Sequence, residues 1–164
     1  GGGRGAMERL FTASSVHKVG QKGRVSVPSS YRRVLEALGA VGAVYLVPSL
    51  VDAGAIEGYA PVEFNRLADR ILRMHPASPQ RRVLQQSFIG TAELCELDST
   101  GRLVLPPAFR ALAGIGAEAK FVGAGDKFQI WEPAACGSAL DALVAEIDPA
   151  EALAALPWDD EAPA

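Results

Sequence analysis

The chain has 164 residues, 49% hydrophobic and 21% charged, with a formal net charge of −3 and two cysteines. That composition fits one compact domain or two small halves sharing a core. No apolar run approaches the ~20 residues of a membrane span and no basic-then-apolar leader is present, so a cytoplasmic protein is expected.

In chain order, residues 1–6 (Gly-Gly-Gly-Arg-Gly-Ala) read as a cloning remnant outside the fold. Val16 to Val19 alternates like a half-buried strand. The turn Gly20-Gln-Lys-Gly23 leads into a strand at Arg24 to Val27. Pro28 ends that strand and opens a helix, in which Tyr31, Val34, Leu35 and Leu38 fall at helical spacing before Gly39. Two strands, Ala43–Val47 and Ala55–Pro61, and an amphipathic helix over Val62–Arg73 complete a first module spanning residues 7–75. Residues 76–90 are a linker: a proline-rich loop, then a helix from Arg81 to Phe88.

The same series then returns. Val19-Gly-Gln-Lys-Gly-Arg-Val-Ser-Val-Pro-Ser-Ser-Tyr-Arg32 aligns without a gap with Leu97-Asp-Ser-Thr-Gly-Arg-Leu-Val-Leu-Pro-Pro-Ala-Phe-Arg110, at a constant offset of 78. An internal repeat decides the architecture before any local feature does. The second module, residues 91–148, has strands at Ala92–Leu97, Arg102–Leu105, Ala119–Gly123 and Lys127–Pro133, and a closing helix over Ala134–Ile147. By the fourth strand the offset has dropped to 72, which puts six extra first-module residues in the loop around Pro48 to Gly54. Each copy reads β-turn-β-α-β-β-α. Four short strands cannot enclose a core alone, so the two copies are expected to close on each other as a pseudo-twofold barrel. The class is α+β, mainly β, with peripheral helices. Residues 149–164 read as an acidic, flexible tail.

Net charge hides an asymmetry. All 16 Lys and Arg lie in residues 1–127 with 11 acids, a net of +5, whereas residues 128–164 hold eight acids and no Lys or Arg. One basic cluster runs from His17 to Glu36, and a second comprises Arg66, Arg70, Arg73, Arg81 and Arg82. The Arg66-Arg70-Arg73 stripe reads as a solvent or subunit-contact face.

Catalysis finds little support. His17 and His75 are far apart and neither sits in a metal-binding pattern, and Cys95 and Cys136 lack the spacing of a zinc or redox motif. Neither a nucleophile elbow nor a phosphate-cradling loop occurs, and Gly123-Ala-Gly125 reads as a turn. No catalytic residue, metal, cofactor or small-molecule substrate is expected. Trp131 reads as core. The repeated Gly-Arg pair is the informative feature, because each glycine turn places an arginine at the mouth of a strand. Arg24 and Arg102 should then stand on one surface, where the planar guanidinium suits phosphate oxygens and the guanine edge alike. Lys22 adds a phosphate-seeking charge; Thr100 stands at its place in the second copy. The competing reading is that these arginines are internal ion-pair partners, Arg102 with Asp98. Lys18, Arg32 and Arg110 are further possible contacts to nucleic acid, with a solvated helix face as the plainer reading for the two arginines.

At these residues the chain resembles the MraZ family of bacterial transcriptional regulators, whose two AbrB-like swapped-hairpin modules each carry an Asp-x-x-x-Arg motif. Leu97-Asp98-Ser-Thr-Gly101-Arg102-Leu-Val-Leu-Pro106 matches the motif fully, and Phe121 to Trp131 resembles the second-module strand pair. The first copy has Gly20 at the aspartate position but keeps Lys22, Gly23 and Arg24. The resemblance implies a swapped-hairpin barrel. It implies double-stranded DNA as partner, with Lys22, Arg24 and Arg102 facing it and Gly23, Asp98 and Gly101 shaping the turns. It also implies a homo-oligomeric ring associated with the nucleoid. Such a ring would recognise short G-rich direct repeats and repress the division and cell-wall gene cluster that includes its own gene. The rival expectation is an AbrB-like antitoxin or protein-interaction module acting through its acidic C-terminal segment.

Overall fold

The computed structural model describes residues 9–40 and 42–157. Among the described residues, eight strands and six α-helices follow one another in an order that runs the same way twice. The first series is β1 (Ser14–Lys18), β2 (Arg24–Ser26), α1 (Ser29–Ala37), β3 (Ala43–Pro48), β4 (Ile56–Tyr59) and α2 (Pro61–Leu72). After α3 (Pro79–Leu84) come β5 (Glu93–Glu96), β6 (Arg102–Val104), α4 (Pro107–Ala113), β7 (Glu118–Gly123), β8 (Phe128–Trp131), α5 (Pro133–Glu146) and α6 (Pro149–Ala154). Prolines sit in the first turns of α2 to α6, where a missing N–H costs nothing.

The strands do not pair within their own copy alone. An antiparallel six-stranded sheet runs β1-β7-β8-β4-β3-β5, and β2 pairs with β6 in a separate two-stranded ribbon. Thus β1 lies on β7 of the second copy, from Ser14 opposite Val122 to Lys18 opposite Glu118, while β5 lies on β3 of the first. The pseudo-twofold relation passes between β4 and β8, where Glu57 faces Gln129, and through the ribbon, where Val25 faces Leu103.

The closed barrel expected from the repeat is not formed. The sheet is open, bounded by β1 and β5. Beyond each of these strands the chain leaves the sheet through a glycine turn, and the three-residue β2 and β6 pair with each other instead. The ribbon, α1 and α4 cover one face of the sheet. Val25, Val27, Tyr31, Val34, Leu35, Leu103, Leu105 and Phe109 pack there with Val44, Leu46, Ile56, Phe121, Phe128 and Ile130 in one buried cluster. Phe128 anchors it, edge-on to Phe11 at 5.2 Å and tilted on Tyr31 at 5.1 Å. On the opposite face, Val47, Tyr59, Phe64, Ile71 and Phe88 form a second cluster under α2 and α3. Trp131 is buried, as expected for a core residue, and its indole N–H donates to Gln129 Oε1 at 2.9 Å.

Three further expectations change. The six extra first-copy residues are not confined to one loop. The offset falls from 78 at the start of α1 to 75 at β3 and 72 at β4, so α1 with its connection to β3 holds three and the β3–β4 loop the rest. The linking helix starts at Pro79 rather than Arg81, because Ser78 Oγ caps it by accepting from Arg81 N–H at 3.0 Å, and it continues as a π-helical turn over Gln85–Ile89. The acidic segment is helical through Ala154, since Asp148 accepts from Ala150 N–H at 3.2 Å and Pro149 opens α6. Residues 1–6, read as a cloning remnant, and 158–164 at the end of the acidic segment lie outside the described residues.

Candidate nucleic-acid interface

Alternation on the ribbon decides which side chains face outward. Val25 and Leu103 point into the core; Arg24, Ser26, Arg102 and Val104 are exposed on the other face. In register, Arg24 lies opposite Val104 and Arg102 opposite Ser26, so the two arginines stand diagonally about the pseudo-twofold axis. The turns that precede them are tied to the other copy. Val27 N–H donates to Gly101 C=O at 3.0 Å, and Leu105 N–H donates to Gly23 C=O at 2.9 Å. Both glycines have φ of +79°, a left-handed conformation that side chains other than glycine adopt at a cost.

The backbones of the two turns match. Gly20 N–H donates to Arg24 C=O at 2.8 Å, as Asp98 N–H does to Arg102 C=O at 2.8 Å. Gly23 N–H donates to Gly20 C=O and Gly101 N–H to Asp98 C=O, each at 3.0 Å. Their side chains differ. Asp98 Oδ1 accepts from Thr100 N–H at 2.9 Å, Thr100 Oγ1 at 2.8 Å and Arg102 N–H at 3.0 Å. Arg102 Nε then donates to Asp98 Oδ2 at 3.2 Å and to Thr100 Oγ1 at 2.9 Å. The Arg102 backbone N–H, then the Thr100 hydroxyl, hold the Asp98 carboxyl well below the usual carboxylate range. The internal ion pair and the outward arginine are therefore compatible: Asp98 takes Nε, and the two Nη groups of Arg102 are without a partner among the described residues. Thr100 was legible in the sequence only as a neutral hydroxyl; its part in holding the arginine comes from the turn geometry.

The first copy has no such clamp, because Gly20 carries no side chain. Arg24 makes no side-chain hydrogen bond among the described residues. It lines a shallow cleft with Lys18, Gly20, Gln21, Lys22, Ser26 and Arg102, so four cations border one concavity. A separate depression is lined by Glu93, Leu94, Cys95, Glu96, Val104 and Pro106, with Glu96 at the place of Lys18.

Arg32 and Arg110 are placed differently. Both are half-buried, and each lies against the glycine turn of the opposite copy: a Cβ at Gly101 would stand 2.5 Å from Arg32 Cδ, and one at Gly23 would stand 3.7 Å from Arg110 Nη1. Arg110 donates from Nε to Ile115 C=O at 3.1 Å and from Nη2 to Gly116 C=O at 3.0 Å, occupying its guanidinium with the chain beyond α4. On α2, Arg66 and Arg70 are exposed and Arg66 pairs with Glu63 at 2.8 Å. His17 packs edge-on to Phe121 at 5.2 Å, and its burial lowers its pKa; His75 accepts from Ala77 N–H at 3.1 Å. Among the described residues no His, Cys, Asp and Glu gather as a metal site, and no helix is long and apolar enough to cross a membrane.

The family model described as an antitoxin-like MraZ protein matches residues 88–151, which hold the whole second turn from Asp98 to Arg102. A transcriptional regulator MraZ of Ruegeria pomeroyi is 37% identical over 163 aligned residues, covering 96% of this chain and 91% of that protein. One from Beijerinckia indica is 40% identical over 123 residues, 75% of this chain and 74% of the relative. Another, from Parvibaculum lavamentivorans, is 41% identical over 126 residues, 76% and 77% of the respective chains.

Proposed function

This chain belongs to the MraZ family, and from that premise we propose that it is a non-enzymatic transcriptional regulator that binds double-stranded DNA through the outer face of the β2–β6 ribbon. The observation that carries this reading is the pair of arginines, Arg24 and Arg102, diagonal about a pseudo-twofold axis and flanked by Lys18 and Lys22. The major groove admits a two-stranded ribbon, and arginine is its commonest specific reader, through guanine O6 and N7. Lysines at the rim suit phosphate. Arg32 and Arg110, half-buried against the opposite copies' turns, are not needed for this surface. In the fuller reading, several subunits join as a ring, engage short G-rich direct repeats together and repress the division and cell-wall cluster containing the protein's own gene. Joining several weakly basic ribbons multiplies effective affinity, which offsets the modest charge of each. Nucleoid association in the cytoplasm follows from that role.

The test is a gel shift on the region upstream of the protein's own gene, titrated with salt. Supershifted, salt-sensitive bands that Arg24→Ala and Arg102→Ala weaken support the reading; unchanged affinity in both variants overturns the site. A second reading, a protein-interaction or antitoxin-like module, is favoured by α5 and α6. These helices expose Leu140, Leu143, Val144 and Leu153 among acids and bury none of their residues. Deleting residues 149–164 separates the two: loss of a co-purifying partner with DNA binding intact favours the second.

A further inference from the structure

We infer that the two ribbon arginines divide the work: Arg102, held by Asp98 and Thr100, reads a guanine, whereas Arg24 with Lys22 holds phosphate without regard to sequence. The inference rests on the DNA-binding reading above and assigns a separate task to each side chain of the same face.

The argument starts from what the two turns share. Their backbone hydrogen bonds agree to within 0.1 Å and their glycines have equal φ, so the difference between the arginines lies in side chains alone. Arg102 Nε is held from two sides, by Asp98 Oδ2 at 3.2 Å and Thr100 Oγ1 at 2.9 Å. Asp98 is itself fixed by two backbone N–H groups, of Thr100 and Arg102. A guanidinium held at Nε keeps its orientation and presents both Nη groups end-on, the fork that matches guanine O6 and N7. Pre-organisation removes the ordering cost that a mobile arginine meets on binding, and a fixed fork penalises the wrong base. Asp98 and Thr100 are therefore positioning residues. Arg24 has Gly20 and Lys22 at the corresponding places, hence no clamp, and a second cation beside it. An unrestrained arginine next to lysine favours the densest negative charge within reach, the phosphate backbone, which carries no sequence information.

The arrangement can be transplanted. A Cβ at Gly20 would stand 3.5 Å from Arg24 C=O and 3.9 Å from Arg24 Cβ, ordinary contacts, and Gly20 needs no left-handed backbone. Gly20→Asp with Lys22→Thr thus builds the second-copy turn into the first.

The experiment uses the full chain and two probes: a duplex selected by the wild-type protein from random sequence, and a shuffled duplex of equal composition, each across a salt series. Arg102→Ala is expected to lower the preference for the selected duplex by about 5- to 150-fold, the range for one bidentate base contact. Asp98→Asn keeps an acceptor for the turn N–H groups but not for Nε. It and Thr100→Val should lower binding to the selected duplex more than binding to the shuffled one, reducing the same preference. Arg24→Ala and Lys22→Ala should weaken both duplexes equally, each flattening the salt slope by about 1. The Gly20→Asp/Lys22→Thr protein should select duplexes with one more required guanine. Equal loss of preference in Arg24→Ala and Arg102→Ala overturns the division, as does an Asp98→Asn defect shared by both duplexes. Arginine-dependent binding with no such split refutes the division alone; salt-insensitive binding to either duplex refutes the DNA reading and the division with it.

Discussion

Gly58→Ala tests the packing that supports the ribbon. Gly58 sits in β4 directly opposite Phe128 of β8, and an added Cβ would collide with the Phe128 ring, 2.5 Å from Cε2. The ring cannot easily retreat. Phe11 lies edge-on at 5.2 Å, Tyr31 at 5.1 Å and Phe121 at 6.0 Å, all buried. Restoring an ordinary contact needs a shift of about 1 Å, which must be shared among close-packed aromatic rings or taken up by the β4–β8 ladder. Overpacking of this kind costs about 1–3 kcal/mol, against which the entropic gain of replacing glycine is about 0.4–1 kcal/mol. A net loss of about 1 kcal/mol, or a fall in Tm of roughly 2–4 °C for a domain of this size, is expected. The assay is urea unfolding followed by circular dichroism, with Gly137→Ala as control. Gly137 lies in exposed α5 with nothing within 4 Å of a Cβ, and alanine there should stabilise by about 1 kcal/mol. A Gly58→Ala protein as stable as wild type would refute the claim that the aromatic cluster is rigid.

The same geometry sets several other outcomes. Tyr31 donates to Ala13 C=O at 2.7 Å, so Tyr31→Phe should cost about 0.5–1.5 kcal/mol in the same urea assay. Burial raises the Tyr31 pKa to about 12, above the unfolded value near 10, so the folded state holds its proton longer. The Tyr31 contribution to stability should therefore be constant below pH 10 and be lost as pH rises from 10 through 12, and Tyr31→Phe should remove that part of the fall in urea midpoints measured against pH. The sign is opposite for Asp98, whose pKa is depressed: its contribution is present above about pH 4 and is lost only as pH drops through the folded value. A carboxyl titration of Asp98 by NMR should accordingly show no midpoint between pH 4 and 8. Leu153→Ala, on the exposed helix α6, should change the melting temperature little.

Element boundaries were largely legible because proline and glycine punctuate this chain at every transition, from Pro28 and Pro106 to Gly39 and Gly114. That Arg24 and Arg102 share one surface was expected from the repeated glycine turns at the mouths of their strands. Partner choice was not legible. Nothing local in Ser14–Lys18 says that it pairs with Glu118–Val122 of the other copy rather than with its own, since pairing is a non-local packing outcome. An open sheet with a separate ribbon likewise depends on how far three-residue strands reach after a turn. Arg32 and Arg110 looked like surface charges by helical spacing, yet the exchange of strands brings each onto the opposite copy's glycine turn. The clamp on Arg102 was half legible: an Asp98–Arg102 pair could be read from spacing, whereas Thr100 needed the turn's three-dimensional path. The helix at Pro149–Ala154 was obscured by composition, although Asp148-Pro149 is a cap signal in plain view.

The most direct test of the ribbon as the DNA-binding face is hydrogen–deuterium exchange of the full chain with and without the upstream duplex. Protection confined to residues 18–27 and 97–105, on the two turns and the ribbon they open, is the predicted result. Protection on α2 or on α5 and α6, with those two segments unchanged, would contradict it.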